Sequence, residues 1–76
     1  MLQPTRELDA RGLNCPLPIL RTKKALGDML SGQTIKVLST DPASVRDIVA
    51  FARQTGNELV EQGEADGAFY YVLRRK

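Results

Sequence analysis

The sequence predicts an α+β fold, a two-layer βαβαββ sandwich in which a four-stranded mixed sheet carries two helices on one face. Three observations predict it. Two segments place apolar residues at helical spacing, short runs rich in β-branched or aromatic residues follow them, and the last two such runs flank Asp66-Gly67, the dipeptide of a tight hairpin. A strand-helix-strand unit joins parallel neighbours by a crossover, whereas a hairpin reverses direction, so the sheet is mixed and both helices lie on one side.

Residues 1 to 4 read as a frayed start. Thr5-Arg6-Glu7-Leu8-Asp9-Ala10 alternates weakly and gives a short strand centred on Leu8. Gly12 breaks it and supplies backbone freedom for a turn. From 16 to about 30 the spacing is helical: Ile19, Leu26 and Leu30 share a face flanked by Leu20 and Met29, while Arg21, Lys24 and Asp28 point away. Lys23 falls toward the apolar side, where a lysine buries its stem and lifts its ammonium to the edge. Ser31-Gly32 ends this helix, with Gly32 as a left-handed cap. The run 34–40, TIKVLST, is a strand with Ile35 and Val37 on one face and Leu38 on the other. Asp41-Pro42-Ala43-Ser44 then starts a second helix in one of two registers. Either Asp41 caps it with Pro42 in the first position, or Ser44 caps it with Asp47 closing a capping box. Val45, Ile48, Val49 and Ala52 form its buried stripe, and Thr55-Gly56 stops it. A third strand spans 57–62 with Leu59 and Val60, a turn spans 63–67, and the last strand spans 68–73. Phe69, Tyr71 and Leu73 share one face of that strand, and Tyr70 and Val72 make the other face apolar too, as in a central strand.

Residues 1–76 make one domain, long enough to bury one face of a small sheet against two helices and little more. With 42% hydrophobic residues and no Trp, the core must be largely aliphatic, and a deep cofactor pocket is not expected. Methionines and aromatics read as core rather than as a ligand box. Eleven Lys and Arg against nine Asp and Glu give +2, which favours solubility without announcing a nucleic-acid binder. The runs Arg21, Lys23, Lys24 and Arg74, Arg75, Lys76 read as a solvated helix face and a charged tail rather than a docking patch. A single cysteine makes no internal disulfide, and no apolar stretch is long enough for a membrane span or a signal peptide, so a cytoplasmic location is expected. Without His and with one Cys, no soft-ligand metal cluster can form within the chain; an oxygen-ligand site stays open, though the sequence offers no specific argument for one, and no cofactor is expected.

Function centres on Cys15. Pro16 suits the first position of a helix, which makes Cys15 the cap residue, and Pro18 falls in the third position, within the turn whose amides lack intrahelical partners. A thiolate there faces the positive end of the helix dipole, worth roughly 0.3 to 1 kcal/mol at an exposed site, and Lys23 or Arg11 would add to it. The expected thiol is therefore more acidic than a free cysteine, whose pKa of about 8.5 leaves about 3% thiolate at pH 7. The alternative is a cysteine that acts as a small buried hydrophobe; polar Asn14 and the place at a helix start favour the reactive reading. With no His, a Cys-His hydrolase is excluded within the chain. Pro18 stands where a Cys-x-x-Cys motif would put its second thiol, so a dithiol cycle is excluded as well. What one exposed sulfur can do unaided is accept a sulfur atom as a persulfide and yield it to an attacking partner. Two other classes use the same residues: a small RNA-binding module built on the basic runs, which lacks interleaved exposed aromatics, and a redox-sensing regulator built on oxidation of Cys15.

The run Leu8-Asp9-Ala10-Arg11-Gly12-Leu13-Asn14-Cys15-Pro16-Leu17-Pro18, followed by Lys23-Lys24-Ala25-Leu26, resembles the TusA/SirA-like family of small sulfur-carrier proteins. Asp41-Pro42-Ala43, Arg46-Asp47-Ile48 and the aromatic last strand with its basic end extend the likeness over nearly the whole chain. The resemblance implies a fold similar to the C-terminal domain of a bacterial translation initiation factor, with the last strand inside the sheet. It implies that Cys15 is the catalytic residue, that a cysteine desulfurase is the donor and that a downstream sulfur-transfer complex is the acceptor. In TusA proteins the relay ends in 2-thiouridine of transfer RNA, whereas relatives serve molybdenum-cofactor synthesis or sulfur oxidation. It also implies a sulfurtransferase component whose activation chemistry belongs to its partners, with no membrane and no direct nucleic-acid contact required. Pro16 and Pro18 match as structural support, and Asp9 and Gly12 as conformational positions. Basic residues near the motif are expected to steer an acidic partner surface.

Overall fold

The computed structural model describes residues 4–76, so the frayed start expected at 1–4 lies outside the described residues except for Pro4. Strands and helices follow the expected order: β1 Arg6–Ala10, α1 Leu17–Gly27, β2 Thr34–Ser39, α2 Ala43–Thr55, β3 Glu58–Ala65 and β4 Ala68–Arg74. The sheet order is β1-β2-β4-β3. β1 runs parallel to β2, as the intervening helix requires, and β4 pairs antiparallel with both β2 and β3. The last strand is thus central, in keeping with its apolar residues on both faces.

The β-branched and aromatic residues of the two inner strands build the core. Ile35 lies opposite Leu73 and Val37 opposite Tyr71, and all four are at most 1% exposed. Leu26 and Met29 from the α1 side and Ile48, Phe51 and Ala52 from α2 close over them. Each large side chain buried this way contributes roughly 1.5 to 3 kcal/mol.

Both helices present somewhat different stripes from those expected. α1 stops at Gly27 rather than near 30, because the amides of Asp28 and Met29 turn back to the carbonyls of Ala25 and Leu26 in tight three-residue turns. Met29 drops into the core and Leu30 swings out to 72% exposure. Gly32 does adopt a positive φ of 88°, but it serves the turn into β2, where its amide donates to the Arg75 carbonyl at 2.8 Å. Pro18, Thr22, Ala25 and Leu26 are the buried residues of α1, and Lys23 is exposed. Thr22 is accommodated there because its hydroxyl donates to the Pro18 carbonyl at 2.8 Å. In α2 the stripe is Ser44, Ile48, Phe51 and Ala52, while Val45 is exposed and Val49 half-buried.

The hairpin is tighter than expected. β3 continues through Gly63 to Ala65, which pairs with Ala68, leaving only Asp66 and Gly67 in the turn, with φ of 54° and 77°. β3 is also an edge strand. Glu58, Glu61, Gln62 and Glu64 along it are exposed, and a register shift between Leu59 and Glu61 leaves Val60 as an extra residue.

One buried polar contact locks α2 onto the sheet: the Ser44 and Tyr71 hydroxyls lie 2.9 Å apart, and Ser44 also donates to the Asp41 carbonyl at 2.6 Å. Ser44→Ala strands the Tyr71 hydroxyl in the core and is expected to lower unfolding free energy by about 1 to 3 kcal/mol, read as an earlier urea midpoint. Adding Tyr71→Phe should cost less than the sum of the two single changes.

Candidate functional site

Cys15 sits on the turn between β1 and α1. The amide of Leu17 donates to the Asn14 carbonyl at 2.8 Å and that of Leu20 to the Pro16 carbonyl at 3.1 Å. Regular helix therefore begins at Leu17, with Pro16 in the cap position and Cys15 one residue outside it. This shifts the expected register by one. The Cys15-Pro16 peptide bond is cis.

The turn is held from the β2–α2 connection. Gly12, at φ 82°, directs its amide to the Thr40 hydroxyl at 2.9 Å, and the Cys15 amide donates to Asp41 Oδ2 at 2.7 Å. Only a glycine adopts that φ without cost, which explains residue 12. Asp41 Oδ1 accepts the Ala43 amide at 3.1 Å. One carboxylate thus satisfies an orphan donor at the start of α2 and fixes the backbone of the cysteine turn. Neither expected register is met as such: α2 begins at Ala43 with Pro42 in the cap position, one residue later than a cap at Asp41 would give, and the Ser44–Asp47 capping box does not form, because Ser44 is buried against Tyr71 and Asp47 faces the sulfur.

The thiol is exposed and donates to Asp47 Oδ2 at 3.0 Å. It opens into a shallow groove between α1 and α2, floored by Ile19, Ala50 and Phe51. The expected lowering of the thiol pKa is overturned. The hydrogen bond to Asp47 pushes the Cys15 thiol up, with some loss of solvation and the negative charges of Asp47 and Asp41 acting in the same direction. The cations expected beside it are engaged or turned elsewhere. Arg11 grips Asp9 through two contacts of 2.8 and 2.9 Å, and Lys23 points to solvent. Those bonds hold the Asp9 carboxyl down to about 2. Behind the site, burial pushes the Tyr71 phenol up, and the Asp41 and Asp47 carboxylates push the same way.

The C-terminal basic run is structural. Arg75 donates to the Leu26 carbonyl at 3.0 Å and Arg6 to the Ala25 carbonyl at 3.2 Å, so two guanidiniums satisfy the end of α1. Arg74 pairs with Glu58 at 2.7 Å. On the outer side of α1, Leu17, Leu20, Arg21 and Lys24 line an open, mixed apolar and basic depression. Among the described residues, no group of three or more His, Cys, Asp or Glu is placed to hold a metal ion, and no helix is long and apolar enough to cross a membrane.

The family model described as Sulfurtransferase TusA matches residues 6–75. The chain belongs to the TusA family. It is 59% identical over 70 residues to the sulfur carrier protein TusA of Allochromatium vinosum, covering 92% of each chain. It is 51% identical over 69 residues to a putative sulfur carrier protein of Neisseria meningitidis, covering 91% of this chain and 93% of that one. The crystal structure of a SirA-like protein from Desulfitobacterium hafniense superimposes with a TM-score of 0.83 at 29% identity, covering 92% of this chain and 96% of that chain. Cys15 of the family motif stands on an exposed turn, and the fold brings to it Asp41 and Asp47, to which the sequence assigns capping and a share in the family likeness but no contact with the sulfur. Their spacing from Cys15 along the chain carries no signal of the contact; only the pairing of β1 with β2 brings the two helix starts together.

Asp41→Ala is expected to speed hydrogen exchange of the Cys15 and Ala43 amides by about tenfold or more while the central β4 amides stay protected; NMR exchange rates check this. Asp9 has a lowered folded pKa, so its contribution to stability is present above the unfolded value of about 3.9 and is lost as pH falls through about 2. An NMR titration of its carboxyl should have its midpoint near that value, and Arg11→Ala should return it toward the ordinary carboxylate range.

Proposed function

We propose that residues 1–76 act as a single sulfur-carrier domain that holds sulfane sulfur as a persulfide on Cys15. The observation that carries this reading is the position of Cys15: an exposed thiol on a turn pinned by Asp41, in a chain whose relatives bear the name sulfur carrier. A cysteine desulfurase is the donor and a downstream sulfur-relay protein complex the acceptor, with 2-thiouridine in transfer RNA as the end product and the cytoplasm as the place of action. The open depression over Leu17, Leu20, Arg21 and Lys24 beside the cysteine turn offers a protein-sized contact rather than a substrate pocket, which suits a carrier that works between larger proteins.

Loading is a thiol exchange. Cys15 Sγ, having released its proton, attacks the outer sulfur of the donor's persulfide; the donor's S–S bond breaks, and its electron pair leaves on the donor cysteine as thiolate. Unloading repeats the step in the other direction. An acceptor cysteine attacks the outer sulfur held on Cys15, and the Cys15 thiolate is the leaving group. No net oxidation occurs in either transfer, so no cofactor is required of this chain.

Incubation with a cysteine desulfurase and cysteine is expected to add about 32 Da to the protein, one sulfur atom, removable by a thiol reductant. Intact-mass spectrometry should show the adduct on the native chain and none on Cys15→Ser. Absence of the adduct from the native chain overturns the proposal.

A further inference from the structure

We infer that Asp47 is a positioning residue that latches the unloaded carrier, its carboxylate accepting a hydrogen bond from the Cys15 thiol so that the proton stays on the sulfur until the carboxylate's charge is neutralised. The inference rests on the sulfur-carrier reading for its purpose and on the geometry of the groove for its content.

The contact is direct, with Sγ 3.0 Å from Asp47 Oδ2, and both sides of it are fixed. Asp47 stands on the second turn of α2, whose start is held by Asp41 and Ser44. The backbone of Cys15 is held by Asp41 at 2.7 Å. The charged and titratable groups facing the sulfur are Asp47 from α2 and Asp41 from the β2–α2 connection, with the Tyr71 phenol of β4 buried behind them. α1 lends the groove Ile19 and its cap residue Pro16, and Arg11, on the preceding turn, is taken by Asp9. Among the described residues the ion pairs are Arg11–Asp9 and Arg74–Glu58, so neither Asp41 nor Asp47 has a cation of its own. A thiolate formed here would lie against one carboxylate with a second close by, whereas the thiol makes a hydrogen bond. Two like charges at that distance disfavour ionisation.

The arrangement makes a free carrier slow to react with any electrophile it meets. It also specifies what releases it. A donor that presents a lysine or arginine side chain at the mouth of the groove, against Asp47, removes the acceptor and the repelling charge together. Reactivity is then confined to the encounter with the donor.

The latch is tested on the unloaded protein by iodoacetamide alkylation as a function of pH, for the native chain, Asp47→Asn and Asp41→Asn, with circular dichroism confirming that each variant is folded. Asp47→Asn should move the midpoint of the rate profile to lower pH and raise the rate at pH 7 severalfold. Asp41→Asn should move it less, and the Asp47→Asn shift should survive 1 M salt, which screens distant charges but not a hydrogen bond. A profile for Asp47→Asn that superimposes on the native one overturns the inference, as does an equal, salt-sensitive shift in both variants. Alkylation needs no sulfur donor, so the outcome is independent of the mass adduct. A native profile in Asp47→Asn together with a normal adduct removes the latch and leaves the carrier, whereas the expected shift without an adduct removes the carrier.

Discussion

The site depends on a pair of carboxylates at the start of α2. Asp41 divides its two oxygens between the amides of Cys15 and Ala43, and Asp47, on the second turn of α2, accepts from the thiol. In the turn bearing the cysteine, the amides of Gly12 and Cys15 are taken by side chains of the β2–α2 connection. Its shape is imposed from outside, by the adjacent segment. The arrangement also fixes the chemistry, because the carboxylate of Asp41 that accepts these amides is an anion, and together with Asp47 it disfavours a thiolate beside it.

What holds those carboxylates in place is the sheet. Parallel pairing of β1 with β2 brings the ends of the two strands side by side, so both helices begin at the same edge of the layer. Ser39, fully buried at the end of β2, donates no slack to this region, its hydroxyl accepting the Asp41 amide at 3.2 Å. Behind it, the contact between Ser44 and Tyr71 ties the first turn of α2 to the central strand. Movement of the cysteine relative to α2 therefore requires loss of several hydrogen bonds at once, with core packing directly beneath them.

The architecture was legible because each element is locally consistent: β-branched strands, helices punctuated by glycine and proline, and Asp66-Gly67 between two strands. Boundaries were less so. Leu30 fits the helical period, but the turn that Gly27 and Asp28 begin expels it, and Thr22 takes a core place that its polarity hid until its bond to the Pro18 carbonyl is known. Phe51 was missed in α2 because the stripe was read around Val45, which faces solvent. At the site, Cys15 could be singled out from composition and neighbours alone. Its acidity could not, since the direction depends on residues 26 and 32 positions away in sequence. A helix dipole is a local argument, whereas the contact that raises the Cys15 thiol is tertiary.

The charged, bulged margin of β3 bears on how such a molecule meets others. Glutamates 58, 61 and 64 and the extra residue Val60 make that edge a poor template for another strand. Main-chain zippering, which forms slowly and releases slowly, is discouraged on that flank. The exposed thiol and its groove lie instead on the helical layer, among side chains. For a protein whose work would consist of being handed on, rapid release matters as much as recognition.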